Sequence, residues 1–188
     1  MLFGFSILSL KAASAQDYLA TRLGEQSRNS LRLVSEFGTL NRLLCIGEQA
    51  ADAPSPGEES AAYWTREVRL MTPVRAFSPH IEPAGIFEVR EYALLPGARD
   101  SFVAAMLDVM PMRERHSRNT GAWIPVTGDL DRIVHIWPYR DYSHRTEVRA
   151  AVAREPEWQS YLRVVLPYLR DLKSEIWKPV PGAQAACR

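Results

Sequence analysis

The sequence predicts an α+β fold in which two ferredoxin-like β-α-β-β-α-β repeats pack sheet to sheet as an internal pseudo-dimeric α+β barrel. Residues 38–46 (GTLNRLLCI) match residues 128–136 (GDLDRIVHI), with Gly, Leu, Arg and the final Ile identical. Each matched segment follows a strand-like run and then a helical stretch, and this shared order indicates a tandem repeat. Two four-stranded sheets would each leave one face uncovered, and packing those faces against each other buries both.

The second half has the clearer pattern. Its elements are predicted in this order: a strand at 86–95, a helix at 98–115, strands at 120–126 and 130–139, helices at 141–155 and 157–171, and a strand at 172–180. The first strand alternates, and the turn-forming Pro96 and Gly97 end it. Phe102, Met106 and Met110 recur at helical spacing in the first helix. Turn residues at 127–129 predict a hairpin between the two middle strands.

The first half repeats this order less fully. Strand-like runs lie at 2–10 and 38–46, with a helical stretch between them. The loop signal at 54–57 (PSPG) shortens the region before the last strand. We therefore predict an abbreviated second helix at 58–70.

These patterns predict a degenerate first repeat at 1–84, a second repeat at 85–180 and a C-terminal tail at 181–188. The apolar N-terminus imitates a secretory signal. No Lys or Arg precedes the apolar run, however, and Lys11 interrupts it early. We therefore expect the N-terminal segment to be retained as a strand of the first sheet.

Composition and motifs exclude several classes of function. Of 188 residues, 46% are hydrophobic and 24% are charged, and the net charge of +1 offers no basic field for nucleic acid. No stretch approaches the roughly 18 consecutive apolar residues of a membrane span. Cys45 and Cys187 have no C-x-x-C companion, which argues against a disulfide framework and fits a cytoplasmic location. We expect no cofactor, because no Gly-rich phosphate loop occurs, and no metal, because His116, His135 and His144 lack ligand spacing.

Strand parity divides the second sheet into two faces, since alternate side chains point in opposite directions. The aliphatic Val134 and Ile136 are expected to face the helices, and so are Phe87 and Val89. The opposite face should then line the barrel interior with a mixed polar and aromatic set: Glu88, Arg90, Tyr92, Ile133, His135, Trp137 and Tyr139.

This interior set predicts a small-molecule pocket in the second half, because a few polar groups among aromatics are typical of such pockets. The candidate catalytic residue is His135, as a proton donor or acceptor. The candidate ligand-binding residues are Glu88, Arg90, Tyr92, Trp137 and Tyr139. Two structural alternatives remain open. His135 could be a satisfied core histidine, and Glu88 could pair with Arg90 to fix the barrel interface.

Two other clusters have simpler explanations. The basic run at 113–118 (RERHSR) could hold an anionic group, but cationic decoration of a helix C-terminus explains it more readily. Trp158, Tyr161, Val165 and Leu169 recur at helical spacing, which indicates core packing rather than a cofactor site.

Residues 128–139 (GDLDRIVHIWPY), 149–158 (RAAVAREPEW) and 87–92 (FEVREY) resemble the NIPSNAP family. The resemblance covers the second half well and implies a ferredoxin-like unit in a dimeric α+β barrel. It implies no catalytic motif. The first half departs from the pattern, because Cys45 stands opposite His135 and Gly47 stands opposite Trp137.

Two functional hypotheses follow. One is a barrel that binds a small apolar or aromatic molecule, with a cofactor-free enzyme of unassigned reaction as one form of it. The alternative is a non-catalytic interaction or adaptor protein with a filled barrel, the role proposed for NIPSNAP relatives. A cavity beside His135 would favour the first hypothesis. The remaining surface also allows a homodimer of internally duplicated chains.

Overall fold

The structure, a computed structural model, describes residues 1–13, 15–21, 29–48, 62–79 and 84–180, so the predicted tail lies outside it. Within these residues the elements are β1 (Phe3–Leu10), α1 (Ala15–Thr21), β2 (Ser30–Phe37), β3 (Arg42–Glu48), β4 (Tyr63–Arg75), β5 (Ile86–Leu94), α2 (Arg99–Glu114), β6 (Gly121–Pro125), β7 (Arg132–Tyr139), α3 (Tyr142–Ala153), α4 (Pro156–Val165) and β8 (Leu169–Pro179). None of these helices is long and apolar enough to cross a membrane.

The eight strands close into one antiparallel barrel with the order β1-β3-β2-β8-β5-β7-β6-β4, and β4 pairs again with β1. The first four strands lie in the order β4-β1-β3-β2, and the last four lie in the order β8-β5-β7-β6. Pairing of β2 with β8 and of β4 with β6 joins the two sets at both edges. The α+β barrel predicted from the sequence is therefore confirmed, and its two sheets are continuous through hydrogen bonds.

Local signals explain the elements around the later site. Gly97 has φ +80, a left-handed conformation that glycine adopts without strain, in the turn between β5 and α2. The carboxylate of Asp141 accepts a hydrogen bond of 2.8 Å from the backbone N–H of His144 and so caps α3. Pro156 begins α4, where its missing N–H costs no helical hydrogen bond. The strand at 86–95, the helix at 98–115 and the hairpin of β6 and β7 are confirmed.

The predicted helix at 58–70 is wrong wherever the structure describes it. Residues 58–61 lie outside the described residues, Ala62 is in a turn, and the remainder belongs to the 13-residue strand β4. This strand pairs with β1 along one edge and with β6 along the other. A helix there would leave both edges unpaired and the barrel open, so barrel closure overrides the local pattern.

The helix predicted at 157–171 is too long. Helix α4 ends at Val165, a single 3-10 turn spans Leu166–Tyr168, and β8 begins at Leu169. Pro167 has no N–H to donate within an α-helix. Leu169 pairs instead with Leu94 in the barrel, so the strand begins three residues earlier than predicted.

The barrel lumen is filled by apolar side chains from both halves of the chain. Trp123 lies at the centre of an aromatic cluster, with ring centroids 6.0 Å from Phe3, 5.0 Å from Phe5 and 5.5 Å from Phe77. The buried lumen residues are Phe3, Phe5, Leu31, Leu33, Leu44, Ile46, Met71, Phe87, Trp123, Val134, Ile136 and Trp177. An eight-stranded barrel is just wide enough for side chains to fill, and this one is packed as a core over much of its length.

The predicted assignment of the two faces is wrong. Val134 and Ile136 lie in the lumen, whereas Tyr92, Trp137 and Tyr139 pack with apolar residues of the helices outside the barrel. Parity correctly separates the two sets but does not say which set faces inward. The middle of the lumen is enclosed by sheet and takes the apolar members of the inward set, whereas Glu91 and Arg132 of that set lie at one end of it.

Replacement of Phe5 by alanine tests whether both halves share one core. Phe5 is 2% exposed and contacts Trp123 of the other half. We expect Phe5→Ala to lower the free energy of unfolding by about 3–5 kcal/mol, because truncation leaves a cavity. Urea denaturation should still show one transition. Val164→Ala on α4, where Val164 is 50% exposed, is the control and should change stability by at most about 0.5 kcal/mol. Two transitions, of which only one shifts, would contradict a shared core.

Candidate functional site

A cavity of about 270 Å³ lies outside the barrel, between the sheet and helices α2, α3 and α4. Four of the six predicted site residues line it: Arg90, Tyr92, His135 and Trp137. The other two, Glu88 and Tyr139, lie beside this wall and are buried. The helical side is mostly apolar, with Arg113 and Arg149 as its charged members, and its apolar residues include Phe102, Met106, Val109, Met110, Val152, Trp158, Leu162 and Val165.

The pairing of β5 with β7 brings the predicted residues together. Glu88 lies opposite Trp137, and Arg90 lies opposite His135. These side chains share one face because each strand exposes alternate residues on the same side. The face lies against α2, whose stripe of Phe102, Met106 and Met110 is buried in the same core.

The most buried charge in this region is the carboxylate of Glu88, which is 0% exposed. Its Oε1 accepts hydrogen bonds from Ser174 at 2.6 Å, Arg145 at 2.7 Å and Arg149 at 3.2 Å. Arg90 lies 3.8 Å from the same oxygen, and the Tyr139 hydroxyl lies 3.4 Å from Oε2. Burial alone would raise the pKa of Glu88, but hydrogen bonds from Arg145 and Ser174 and the charge of Arg90 lower it to about 2.

The proposed pairing of Glu88 with Arg90 therefore exists, but it is one contact among several. It lies beneath the helices and not at a barrel interface, because the face assignment is reversed. Arg145 and Ser174 make the shorter contacts with the carboxylate.

Arg113, near the end of α2, is 5% exposed and is not surface decoration. Its Nη2 donates a hydrogen bond of 3.0 Å to the Tyr139 hydroxyl, and its guanidinium lies 4.1 Å from the Trp137 ring centroid. Burial lowers the pKa of Arg113, partly offset by Tyr139 and Glu88. The prediction that this basic run only decorates a helix end is wrong for Arg113, because the apolar stripe of α2 continues through it.

His135 is held in one protonation state. Burial and the nearby charge of Arg90 lower the pKa of His135 from 6.5 to about 3, so the ring is neutral near pH 7. Trp137 Nε1, which can only donate, lies 2.7 Å from His135 Nδ1, so Nδ1 accepts and the proton resides on Nε2. Among the described residues Nε2 has no hydrogen-bond partner. This tautomer offers a donor, and it does not offer a free basic nitrogen.

The charges that line the cavity all have one sign. Arg90, Arg113 and Arg149 line it, and no aspartate or glutamate among the described residues does so. Three arginines surround Glu88 directly, and Arg113 reaches it only through the Tyr139 hydroxyl. One carboxylate therefore faces four guanidinium groups.

A second cavity, of about 750 Å³, opens at one end of the barrel lumen, and none of the six predicted site residues lines it. Most charged residues of its rim form closed ion pairs, with Lys173 as a further lining residue. Arg69 donates twice to Glu91 at 3.0 and 3.2 Å, Arg132 contacts the same carboxylate at 3.0 Å, and Arg42 contacts Glu175 at 2.5 Å. These mutually satisfied charges give the larger cavity no chemistry comparable with that around His135.

The residues that sequence reasoning missed are arginines on the apolar stripes of helices. Arg113 lies three residues after Met110, and Arg145 and Arg149 share a stripe with the buried Val148 and Val152. A charge at such a position is a detectable signal, because it must be buried with a partner. Among the described residues, no three His, Cys, Asp or Glu side chains are grouped so that they could hold a metal ion.

A closed antiparallel barrel with its helices outside belongs to the dimeric α+β barrel type of protein. An anthrone oxidase-like protein has the same architecture, with a TM-score of 0.64, 11% identity and coverage of 100% of this chain and 96% of that chain, a likeness that shows the fold alone. The NIPSNAP family model matches residues 87–184, so the chain belongs to the NIPSNAP family. The resemblance found in the sequence is thereby confirmed.

Two relatives show the extent of this match. The human protein NipSnap homolog 3A is 37% identical over 100 residues, which are 52% of this chain and 40% of that protein. A NIPSNAP family protein with unknown function from Agrobacterium tumefaciens is 26% identical, with a TM-score of 0.50 and coverage of 54% of this chain and 93% of that chain. The chain spans less than half the length of the curated relatives it matches first.

The buried neutral state of His135 predicts a pH dependence of stability. Below pH 6.5 the unfolded chain binds a proton that folded His135 takes up only near pH 3, so stability falls as the pH falls through this window. Between pH 7.5 and pH 5 this contributes a loss of about 2 kcal/mol. Urea denaturation at pH 7.5 and pH 5 should show that His135→Gln loses about 2 kcal/mol less stability than the parent protein.

His144→Gln is the matched control, since His144 lies at the start of α3, is only partly buried and does not line the cavity. It should retain the pH dependence of the parent protein. An unchanged pH dependence in His135→Gln would contradict the buried neutral imidazole. The Glu88 carboxylate adds a separate loss of stability below about pH 4.5, because its pKa is lowered to about 2 on folding.

Proposed function

We propose that the protein binds a small apolar or aromatic molecule in the cavity between the sheet and helices α2, α3 and α4. One observation carries this proposal: about 270 Å³ of space lies beside His135, between one polar wall and one apolar wall. Ligand pockets usually enclose about 300–1,000 Å³ and combine an apolar lining with a few polar groups. The cavity favours this hypothesis over an adaptor with no internal space for a ligand.

The apolar wall would bury the body of the ligand. Phe102, Met106 and Val165 supply aliphatic and aromatic contacts, and burial of apolar surface contributes about 25 cal/mol per Å². Tyr92 and Trp137 offer ring faces and edges at the sheet side. Glu88 and Tyr139 would act indirectly, by holding the arginines of this wall in place.

His135 would contribute as a hydrogen-bond donor. A neutral imidazole N–H directed at a carbonyl or phenolic oxygen stabilises negative charge on that oxygen without losing its own proton. If the ligand is a substrate, this is the catalytic role we propose for His135 in a cofactor-free reaction. A proton-acceptor role is disfavoured, because Nδ1 is occupied by Trp137 and the pKa is about 3.

We further propose that residues 1–84 and 85–180 are two ferredoxin-like repeats and that only the second carries a site. The same strand order in each half supports this proposal. In the first half the equivalent face holds Leu8, Leu43 and Cys45, which pack against Tyr18 of α1. No imidazole of the described residues lies on this face, and Arg32, which is 8% exposed and pairs in register with Cys45, is a buried charge there.

Closing the cavity with a bulky side chain tests the proposed function. Ala153 is exposed at the end of α3 and lines the cavity, so Ala153→Trp should fill its mouth without disturbing the core. Titration calorimetry with the neutral aromatic probe 2-naphthamide should detect binding to the parent protein and at least about tenfold weaker binding to the variant.

Ala150→Trp is the matched control, because Ala150 is exposed on the same helix and does not line the cavity. It should bind 2-naphthamide like the parent, and both variants should melt within a few degrees of it. Equal losses in both variants, or no binding of the probe to the parent protein, would overturn the proposed site.

A further inference from the structure

The cavity contains a buried cation that lacks a counterion. The Arg113 side chain is 5% exposed, yet no Asp or Glu of the described residues forms an ion pair with it. Its only polar contact is the Tyr139 hydroxyl, and its Nη1 has no hydrogen-bond partner among those residues. Burying an unpaired charge is costly, so such a group is normally paired or awaits a partner.

A second donor without a hydrogen-bond partner lies on the sheet side of the same cavity. His135 is 6% exposed, its proton lies on Nε2, and that atom makes no hydrogen bond within the described residues. Both unpartnered groups are donors, and both residues line the one cavity. Donors without acceptors define the missing partner as an oxygen that accepts hydrogen bonds.

The local charge balance defines the charge of that oxygen. The Glu88 carboxylate already accepts hydrogen bonds from Arg145, Arg149 and Ser174. It therefore cannot also neutralise Arg113 directly. Four guanidinium groups against one carboxylate leave a surplus of positive charge in this region, and three of these groups, those of Arg90, Arg113 and Arg149, belong to residues that line the cavity. A negatively charged oxygen group would restore the balance and would form charge-assisted hydrogen bonds, the strongest class available here.

We propose that the ligand is a small apolar or aromatic carboxylic acid, whose carboxylate contacts Arg113 and the Nε2–H of His135 while its apolar body lies against α2 and α4. The carboxylate class fits the planar guanidinium, which presents paired donors to two oxygens. Trp137 holds both groups in position, because its ring stacks on Arg113 and its N–H binds His135. This inference rests on the proposed function and specifies the chemical class of its ligand.

Two probes of nearly equal shape test the inference. 2-Naphthoate carries the carboxylate, and 2-naphthamide replaces it with a neutral amide. At pH 7.5 and 150 mM salt, calorimetry with the full chain should show at least about tenfold tighter binding of 2-naphthoate. The preference should persist at 0.5 M salt, because buried ion pairs are weakly screened.

Arg113→Met should remove the preference for the acid and leave the affinity for 2-naphthamide within about threefold of the parent. The control Arg163→Met removes an exposed cation of α4 that does not line the cavity, and it should keep the preference. If Arg113→Met does not fold, Arg113→Lys provides the second variant. It retains the charge and should keep an acid preference while losing the paired donors.

The outcomes separate the two proposals. Equal affinity for acid and amide in the parent protein would overturn the carboxylate inference and leave the ligand cavity standing. A preference that survives in Arg113→Met would overturn the role of Arg113. Binding of neither probe to the parent protein would overturn the proposed function itself.

Discussion

The closed lumen is the constraint on which the rest of this structure depends. Eight strands enclose a space that side chains must fill, and seven of the apolar groups that fill it come from the first half of the chain: Phe3, Phe5, Leu31, Leu33, Leu44, Ile46 and Met71. Every second residue of β5 and β7 is then forced onto the outer face. Glu91 and Arg132 lie on the inner face at one end of the barrel, whereas Arg90, His135 and Trp137 lie beneath the helices, where the smaller cavity forms.

Beneath the helices, one carboxylate organises the cations. Glu88 is completely buried, which is tolerable only because Ser174, Arg145 and Arg149 donate hydrogen bonds to it and Arg90 lies nearby. These residues come from β8, α3 and β5, so the carboxylate ties helix α3 to the sheet. Arg113 on α2 is attached to the same group through Tyr139. The wall of the cavity is thus a single polar network and not a set of independent side chains.

Much of this arrangement follows from sequence pattern, and the failures have physical causes. Alternation and helical spacing predict β5, α2, β7 and α3 closely, and the residues around His135 are correctly grouped on one face. Parity cannot tell the inner face from the outer one, since that depends on how the two sheets join. The strand β4 escaped prediction because its pairing with β1 and β6 is non-local. Arg113 was assigned to helix-end decoration because its neighbours 114–118 are charged or polar, which hides its place on the apolar stripe of α2.

The asymmetry between the halves explains why the site is found in one of them. In the second half three helices cover the outer face, and the space between them and the sheet is large enough to leave a cavity. In the described part of the first half only α1, seven residues long, packs on the equivalent face. There Cys45, the counterpart of His135 in the proposed repeat, packs with Leu8, Leu43 and Tyr18. A small side chain under a single short helix closes the surface, whereas an imidazole beside arginines under three helices creates a wall with unpartnered donors. The first half therefore supplies four strands of the barrel that fixes the geometry of β5 and β7, and the second half holds the cavity with its polar side chains.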